Sequence, residues 1–245
     1  MKRKVLSDVE LRSRVAGGSR IVVDKDTIIT PAAMDYIRQH AIELVTDSMT
    51  VSRIPIKDGR ARYVNSETGE ELDYKPEEMT HLKGNLLVSK THPRIRFRGE
   101  LDSLIAEVVW IQTVALEENY PAVCGDLDEV LVLLRKVMAA EVKDEVLSPP
   151  DLLGMDSARL RYVTHHLKEE LGIEHPVPGY KHGRMCAALN RLRTCVRKAE
   201  LAASVAFDTE KGCSRVDIVE VLNRLSSCIY IMFCRIVAGI YQVGK

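Results

Sequence analysis

The sequence predicts a mainly α protein: a five-helix up-and-down bundle preceded by a small N-terminal α+β appendage. Hydrophobic residues make up 46% of the 245 residues but aromatic residues only 5%, a composition typical of helices rich in Leu, Val and Ala. From residue 99 onward, apolar residues recur at helical spacing in five segments with short connections. Residues 1–74 differ, because they carry short β-branched runs and turn signals. We therefore expect an appendage at residues 1–74 and a helical domain at residues 75–245.

The appendage combines short strands with one helix. Ile21-Val22-Val23 and Ile28-Ile29 are β-branched runs that favour strands. Thr30-Pro31 is typical of a helix start, with Thr as the N-cap, and the amphipathic run that follows extends to about Leu44. A turn-like Asn-Ser-Glu-Thr-Gly segment in the middle of residues 60–74 predicts a hairpin.

Five amphipathic helices follow a mostly irregular connector at residues 76–93. Asp102 is expected in the first turn of the first helix, where a carboxylate interacts favourably with the helix dipole. Gly172 is expected to cap the end of the third helix. The predicted helices cover residues 99–118, 126–145 and 156–171, then a fourth that follows the loop at 173–183 and a fifth that begins at Ser214.

The fourth helix carries the pattern that points most directly to a ligand. Arg193, Arg197 and Glu200 are spaced i, i+4 and i+7 and project from one face. Two arginines one turn apart repel each other, and an anion between them removes that cost; guanidinium groups suit a phosphate chain. The alternative, which the charge pattern alone favours, is a solvated face with an Arg197–Glu200 pair. In the fifth helix, Asn223 is either exposed or holds a ligand or a backbone group.

Composition excludes several classes of function. Lys+Arg and Asp+Glu both number 35, so the formal net charge is zero, which weighs against non-specific binding of nucleic acid. The six cysteines form no Cys-x-x-Cys pair and suit buried thiols in a reducing compartment. His165 and His166 face different ways on a helix and make a poor metal site. No apolar signal follows the basic residues 1–4, and the apolar run at 228–241 is too short to span a bilayer, so we expect a cytoplasmic protein without a membrane segment.

Three segments resemble motifs of the ATP:cob(I)alamin adenosyltransferases. Residues 90–102 resemble the segment that leads into that family's first bundle helix, with its G-x-x-D-E, although Ser103 replaces the Glu. Residues 193–200 match the family's R-T-x-x-R-R-x-E, with Lys198 for the third Arg. Residues 222–226 match its L-N-R-L-S in the expected order and spacing.

Within that family the chain resembles the ethanolamine-utilisation type more than the propanediol-utilisation type. The evidence is the N-terminal appendage with Ile29-Thr-Pro-Ala-Ala33, then Thr80-His-Leu82, and finally His182-Gly-Arg184 before the arginine helix. The resemblance covers about residues 80–241.

The resemblance implies an activity. Reduced cob(I)alamin attacks the 5′ carbon of ATP, which gives adenosylcobalamin and triphosphate, and the product would supply ethanolamine ammonia-lyase. Because the cobalt is the nucleophile, the protein needs none of its own, and the residues indicate none. The protein must instead hold an anionic triphosphate, usually with Mg²⁺, and orient the 5′ carbon for in-line attack.

The resemblance also assigns roles to residues. It implies that Arg197 contacts the phosphates, while Arg193 pairs with Asp102 of a neighbouring subunit and so builds the site across an interface. It implies that Glu200 and Asn223 help to hold the nucleotide. A homo-oligomer is therefore expected: the propanediol type suggests a trimer, and a dimer satisfies the pairing too.

Two departures from the family concern the segment before the bundle. The propanediol type has a G-D-x-G-x-T phosphate loop, of which only Thr80 remains here; Thr80 and Lys90 are expected to contact the phosphates. The ethanolamine type can carry a His…Cys-Cys-x-x-Cys metal motif, but no Cys precedes Cys124, so no protein-bound metal is predicted.

Three points stay open from the sequence. The family can use an aromatic residue to exclude the lower cobalt ligand; His175, Val177 or Tyr180 could lie nearby, and none is assigned. A non-catalytic alternative is a corrinoid-binding module that docks to a bacterial microcompartment through residues 1–74. A third hypothesis is a different ATP-using bundle enzyme.

Overall fold

The computed structural model describes residues 5–15, 20–23, 27–46 and 63–242. Contacts divide the chain into two compact units, Met1–Lys90 and Thr91–Lys245. The sequence-based boundary between residues 74 and 75 lies earlier, because the strands that follow it belong to a sheet of the first unit. The assignment of the functional domain to residues 75–245 stays a prediction.

Parallel strand pairs and two helices open the N-terminal unit. The elements are β1 (Val5–Leu6), α1 (Asp8–Arg14), β2 (Arg20–Val23), β3 (Ile28–Ile29), α2 (Pro31–Gln39) and β4 (Glu43–Thr46). β1 pairs with β3 and β2 pairs with β4, both in parallel, so the strands predicted at residues 21–23 and 28–29 are confirmed. Leu11, Ala33 and Ile37 anchor the two helices in a small apolar core.

Helix α2 begins as predicted but ends earlier. The Thr30 hydroxyl accepts a hydrogen bond from a backbone N–H of the first turn, and Pro31 occupies the first helical position. The sequence predicts a helix to about Leu44. Instead, Ala41 adopts a left-handed φ of 49°, which ends the helical path, and β4 then pairs with β2.

A four-stranded sheet completes the N-terminal unit. Its strands are β5 (Tyr63–Asn65), β6 (Glu71–Leu72), β7 (Met79–Lys83) and β8 (Leu86–Ser89), in the order β6-β5-β8-β7. The antiparallel pairing of β5 and β6 confirms the predicted hairpin, except for residues 60–62, which lie outside the described residues. The irregular connector predicted at 76–93 is wrong, because β7 and β8 form a second hairpin with Gly84 at a φ of 56° in its turn. Buried Leu87 and Val88 supply the apolar contacts that hold it.

The second unit is a helical bundle, as the sequence predicts. Its helices are α3 (Pro93–Glu117), α4 (Pro121–Lys143), α5 (Ser157–His165), α6 (Leu167–Leu171), α7 (Gly183–Ala206) and α8 (Val216–Val237). α3 starts six residues before the predicted Gly99, because His92 Nδ1 accepts the N–H of Arg94 and Pro93 takes the first helical position.

The predicted third helix is divided into α5 and α6. His166 leaves the helical conformation with a φ of −125°, and its Nδ1 lies 2.9 Å from the carbonyl oxygen of Tyr162. Its imidazole also stacks on the Tyr162 ring. Gly172 ends α6 at a φ of 70°, which confirms the predicted C-cap.

The bundle core is formed mainly by α3, α4, α7 and α8. Phe97, Leu104, Leu134, Leu192 and Ile229 are among its fully or almost fully buried members. α7 packs against both α3 and α8, so the arginine helix is held along its length. None of the helices in the described part of the chain combines the length and apolarity needed to cross a membrane.

A buried carboxylate ties the start of α3 to the end of α4. Glu141 is fully buried, and its oxygens accept hydrogen bonds from Arg94 Nε at 2.6 Å and from the guanidinium of Arg98. Arg94 also donates to the Glu141 carbonyl oxygen and to Asp144. Because an unpaired buried charge is costly, this cluster fixes how the two helices align.

Candidate functional site

α7 presents the predicted charged face with the predicted apolar back. Ala188, Leu192 and Ala199 are buried on the core side. Arg193 and Glu200 are half-buried, and Arg197 is exposed. The helix therefore holds these three side chains at one edge of the bundle, where a ligand has access to them.

The cations of α7 fall into two groups. Three of them pair with carboxylates of α3: Arg184 with Glu117 at 2.8 Å, Arg191 with Glu107 at 2.9 Å and Lys198 with Glu100 at 2.9 Å. Arg193 and Arg197 make no ion pair with any described residue. The two predicted phosphate-binding arginines are thus the α7 cations whose charge has no carboxylate partner there. This arrangement suits an anionic ligand.

A neutral side chain orients Arg193. Its Nε and Nη2 both approach Oδ1 of Asn190 at 3.3 Å, one turn earlier on α7. The amide restricts the guanidinium without cancelling its charge. Burial raises the pKa of Tyr230 to about 12, and the charge of Arg193 acts in the opposite direction.

Glu200 pairs with Asn223 and not with Arg197. Asn223 Nδ2 donates to Glu200 Oε1 at 2.9 Å and links α8 to α7. The alternative of an exposed face held by an Arg197–Glu200 pair is therefore wrong among the described residues. The structure brings together Glu200 and Asn223, which the sequence places 23 positions apart.

Asp102 lies on the surface of α3, away from the helix start. Because α3 begins at Pro93, Asp102 sits in the third turn, and the predicted favourable interaction with the dipole of the first turn is wrong. Asp102 is exposed and makes no hydrogen bond or ion pair with the described residues of its own chain. The role of Asp102 as partner of Arg193 in another subunit stays a prediction.

The two remaining predicted site residues belong to the N-terminal unit. Thr80 is half-buried in β7, opposite Val88. Lys90 follows β8, and its Nζ lies 3.3 Å from Glu77 Oε1, a contact that lowers the pKa of Glu77. The side chains of Lys90 and Glu77 are 52% and 78% exposed, so water weakens this ion pair and an incoming phosphate can compete for Lys90.

The loop before α7 packs its imidazoles on aromatic rings of α8. His175 Nδ1 lies 3.1 Å from the Tyr230 hydroxyl, with the two rings nearly parallel. Tyr230 in turn stacks on Phe233. Val177 and Tyr180 are 82% and 87% exposed, so the loop offers apolar surface to solvent. The role of excluding a cobalt ligand stays unassigned among these loop residues.

A small cavity adjoins this loop and the arginine helix. It measures about 200 Å³, and Asn190 and Phe233 contribute to its wall together with Cys186. Asn190 therefore touches both the cavity and Arg193. Asn190, Tyr230 and Phe233 were not predicted as site residues from the sequence; the available signal was a polar Asn three positions before Arg193 on a helix.

All six cysteines are free thiols. Burial raises the pKa of Cys186 and that of Cys234 to about 11, so both are protonated at neutral pH, in agreement with the buried-thiol interpretation. Cys213 is exposed, so the buried-thiol interpretation is wrong for this residue. Within the described ranges, no group of three His, Cys, Asp or Glu side chains is placed to hold a metal ion; the absence of a protein-bound metal stays a prediction.

Comparison with a structure supports the fold. A variant PduO-type ATP:corrinoid adenosyltransferase from Lactobacillus reuteri, complexed with cobalamin and ATP, aligns with a TM-score of 0.52 and 20% identity. The alignment covers 68% of this chain and 89% of that chain. At this identity the likeness concerns the fold alone.

Sequence comparisons find relatives of higher identity than the structural match. Corrinoid adenosyltransferase EutT of Salmonella typhimurium is 38% identical over 165 residues, which cover 67% of this chain and 60% of that protein. Corrinoid adenosyltransferase PduO of the same organism is 26% identical over 151 residues, 58% of this chain and 42% of that protein. The chain thus spans about three fifths of the length of the EutT relative. The family model for cobalamin adenosyltransferase matches residues 73–236, and the chain belongs to the cobalamin adenosyltransferase family.

Proposed function

We propose that this protein transfers the 5′-deoxyadenosyl group of ATP to cob(I)alamin. The cobalt electron pair forms a bond to the 5′ carbon, the bond from that carbon to the triphosphate oxygen breaks, and triphosphate leaves with the electron pair. The observation that carries the proposal is the pair Arg193 and Arg197, the α7 cations without a carboxylate partner among the described residues. The names of the EutT and PduO relatives support the same reaction.

Arg197 suits the leaving group, and Arg193 lies one turn away on the same helix, where it pairs with Asp102 of the neighbouring subunit in this proposal. A triphosphate gains negative charge on its bridging oxygen as the bond to carbon breaks, and guanidinium groups stabilise that charge through charge-assisted hydrogen bonds. Each such bond contributes about 1.5–3 kcal/mol. Arg197 is the proposed main contact because it is exposed and forms no ion pair with a described residue.

Glu200 and Asn223 form a polar pair beside the arginines. Their mutual bond leaves Glu200 Oε2, Asn223 Oδ1 and the second Asn223 Nδ2–H for a ligand. Such a set can accept a ribose hydroxyl proton and donate to a ring or ribose oxygen. We propose that the pair fixes the nucleoside so that the 5′ carbon faces the corrinoid.

Asp102 completes the site from a neighbouring subunit in this proposal. It is exposed and makes no contact with the described residues of its own chain, as a residue used across an interface would. A homo-oligomer follows from the assignment; a trimer is favoured and a dimer also satisfies the pairing.

The N-terminal unit contributes phosphate contacts in the same proposal. Lys90 exchanges Glu77 for a phosphate oxygen, and Thr80 offers its hydroxyl. Mg²⁺ enters bound to ATP, where it neutralises part of the triphosphate charge. We further propose that the product serves ethanolamine ammonia-lyase and that the protein associates with a bacterial microcompartment.

A direct assay tests the reaction. Purified protein is mixed with ATP, Mg²⁺ and chemically reduced cobalamin, and the absorbance spectrum of adenosylcobalamin is followed while triphosphate is quantified. The proposal expects equal amounts of both products and no product when ATP is omitted. A spectrum that stays that of unmodified cobalamin contradicts it.

One observation favours a second candidate, a non-catalytic corrinoid-binding protein. Only Thr80 remains of the Gly-rich phosphate loop found in the propanediol type. Calorimetry separates the two candidates, because the non-catalytic protein binds cobalamin and does not bind ATP, whereas the enzyme binds both.

A further inference from the structure

The N-terminal unit contains a cavity that the proposed reaction does not use. It measures about 270 Å³ and is lined by α1 and α2 on one side and by residues 63–81 on the other. Cavities that hold drug-sized ligands start near about 300 Å³, so this one suits a small molecule and excludes a corrin macrocycle. Its walls combine three tyrosine rings with three cations.

Two arginines that line the cavity have their carboxylate partners beyond hydrogen-bond distance. Arg12 Nε lies 3.8 Å from Asp8 Oδ2, and Arg38 Nη1 lies 3.7 Å from Asp35 Oδ1. Both distances are too long for hydrogen bonds. Neither guanidinium donates a hydrogen bond to another residue in the described ranges. A guanidinium has five N–H donors, so both arginines retain the donors that phosphate oxygens accept.

The charges of the lining balance, but its cations keep hydrogen-bond donors. Asp8 and Asp35 are matched by the two arginines, and Glu77 is matched by Lys90, which does not line the cavity. Lys75 lines it and forms no ion pair with a described residue. The lining has three cations and three carboxylates, so its attraction for a phosphate rests on the hydrogen-bond donors of Arg12, Arg38 and Lys75 and not on net charge.

Aromatic rings supply the other half of the site. The Arg12 guanidinium lies 4.6 Å from the centroid of the Tyr36 ring, which makes a flat cationic surface. The ring centroids of Tyr63 and His81 lie 5.7 Å apart. Tyr74 also lines the cavity, and 44% of its surface is exposed to solvent. Planar rings bind well between such surfaces.

We infer that this cavity is a binding site for a nucleoside monophosphate or a molecule of the same chemistry, a planar ring joined to a phosphate. The phosphate lies between Arg12, Arg38 and Lys75, and the ring lies against the tyrosines. The site is built from residues other than those of the α7 face and does not depend on the adenosyl-transfer proposal.

Calorimetry on the full chain tests the inference, with AMP as the probe. Two further probes each lack one part of AMP: ribose 5-phosphate lacks the base, and adenosine lacks the phosphate. We expect AMP to bind at least ten-fold more tightly than either. Equal binding of ribose 5-phosphate and AMP would overturn the assignment of a ring site, and equal binding of adenosine would overturn the phosphate site.

Matched variants locate the binding. Arg38→Ala is expected to weaken AMP binding about ten-fold through the lost charge-assisted bonds, and Lys75→Ala about three-fold. Lys198→Ala, whose side chain is paired with Glu100, and the exposed control Arg161→Ala are expected to leave AMP binding unchanged, with circular dichroism confirming that every variant folds. AMP binding that Arg197→Ala abolishes and Arg38→Ala spares would overturn the inference, as would no binding of AMP by the unaltered protein. Because adenosyl transfer is assayed separately, its failure leaves this result intact.

Discussion

The side-chain amide of Asn223 donates a hydrogen bond to Glu200 Oε1 at 2.9 Å and joins α8 to α7 beside Arg197. Each residue alone is a polar side chain on an amphipathic helix. Together they form an oriented donor and acceptor set next to cations that lack carboxylate partners in the described structure. The hydrogen bond therefore brings residues from two separate sequence motifs into one site.

Removal of the Asn223 amide should impair catalysis without unfolding the protein. Asn223→Ala leaves Glu200 unpaired and frees its rotation, so we expect kcat/KM for ATP to fall about ten-fold, equivalent to about 1.4 kcal/mol. Ser227→Ala is the matched control, because Ser227 lies one turn later and its hydroxyl donates to the Asn223 backbone carbonyl at 3.5 Å, not to the Asn223 side chain. Equal activity of both variants would contradict the role of the pair.

Much of this site was predictable because it lies within single helices. Arg193, Arg197 and Glu200 share a face by helical spacing alone, which needs no knowledge of the tertiary fold. That neither arginine pairs with Glu200 was not predictable. Glu200 chooses Asn223 over Arg197 only because α7 and α8 pack side by side, and contacts between segments far apart in sequence leave no periodic signal.

The errors in the N-terminal half have a common physical origin. Residues 79–89 form a hairpin because Leu87 and Val88 are buried against other strands, which a short mixed segment does not reveal. Likewise, α2 ends at Gln39 because Ala41 takes a left-handed conformation that sequence does not predict for alanine.

Mixing of inactive subunits tests whether the site crosses an interface. Asp102→Ala and Arg193→Ala should each lose most of the activity. In an oligomer reassembled from both variants, some sites combine the intact Asp102 of one subunit with the intact Arg193 of another. We therefore expect the mixture to recover activity that neither variant has alone.

Two controls make the mixing experiment decisive. A mixture of Arg193→Ala with Arg197→Ala should recover nothing, because both residues lie on the same α7 face. Exchange of subunits is verified by mass spectrometry of differently tagged chains. Exchange without recovery in the Asp102 and Arg193 mixture would show that the two residues do not meet across subunits.

Glu141 should matter for stability more than any exposed carboxylate. Glu141→Gln removes the charge that compensates Arg94 and Arg98 in a fully buried position, and the free energy of unfolding should fall by about 3–5 kcal/mol. The comparison is Glu174→Gln, whose partner Lys168 is 79% exposed, and it should change stability little. Urea unfolding measures both, and similar midpoints would contradict the role of the buried cluster.

Buried thiols should make the protein less stable in alkali. Burial raises the pKa of Cys186 and of Cys234 to about 11 from an ordinary value of 9.0. The folded state therefore holds protons that the unfolded state loses, so their contribution is complete below pH 9 and declines as pH rises towards 11. Urea unfolding at about pH 8 and about pH 10 measures this slope.

Substitution of the buried cysteines tests whether their thiols cause the loss of stability as pH rises. Cys186→Ala with Cys234→Ala should flatten the decline between the two pH values, whereas Cys213→Ser should not, because Cys213 is exposed. A decline that is unchanged in the double variant would assign the alkaline sensitivity to other groups, such as Tyr230, whose pKa burial raises to about 12.

The most direct measurement compares adenosylcobalamin formation by Arg197→Ala and Lys198→Ala. The two positions are adjacent on α7, but Lys198 is paired with Glu100 at 2.9 Å, whereas Arg197 has no carboxylate partner in the described part of the chain. We predict that Arg197→Ala folds normally and loses at least about 100-fold in rate, the scale of one charge-stabilising contact at a reacting group, while Lys198→Ala stays within a few-fold of the unaltered protein. Full activity in Arg197→Ala would contradict the assignment of the polyphosphate to this face of the bundle.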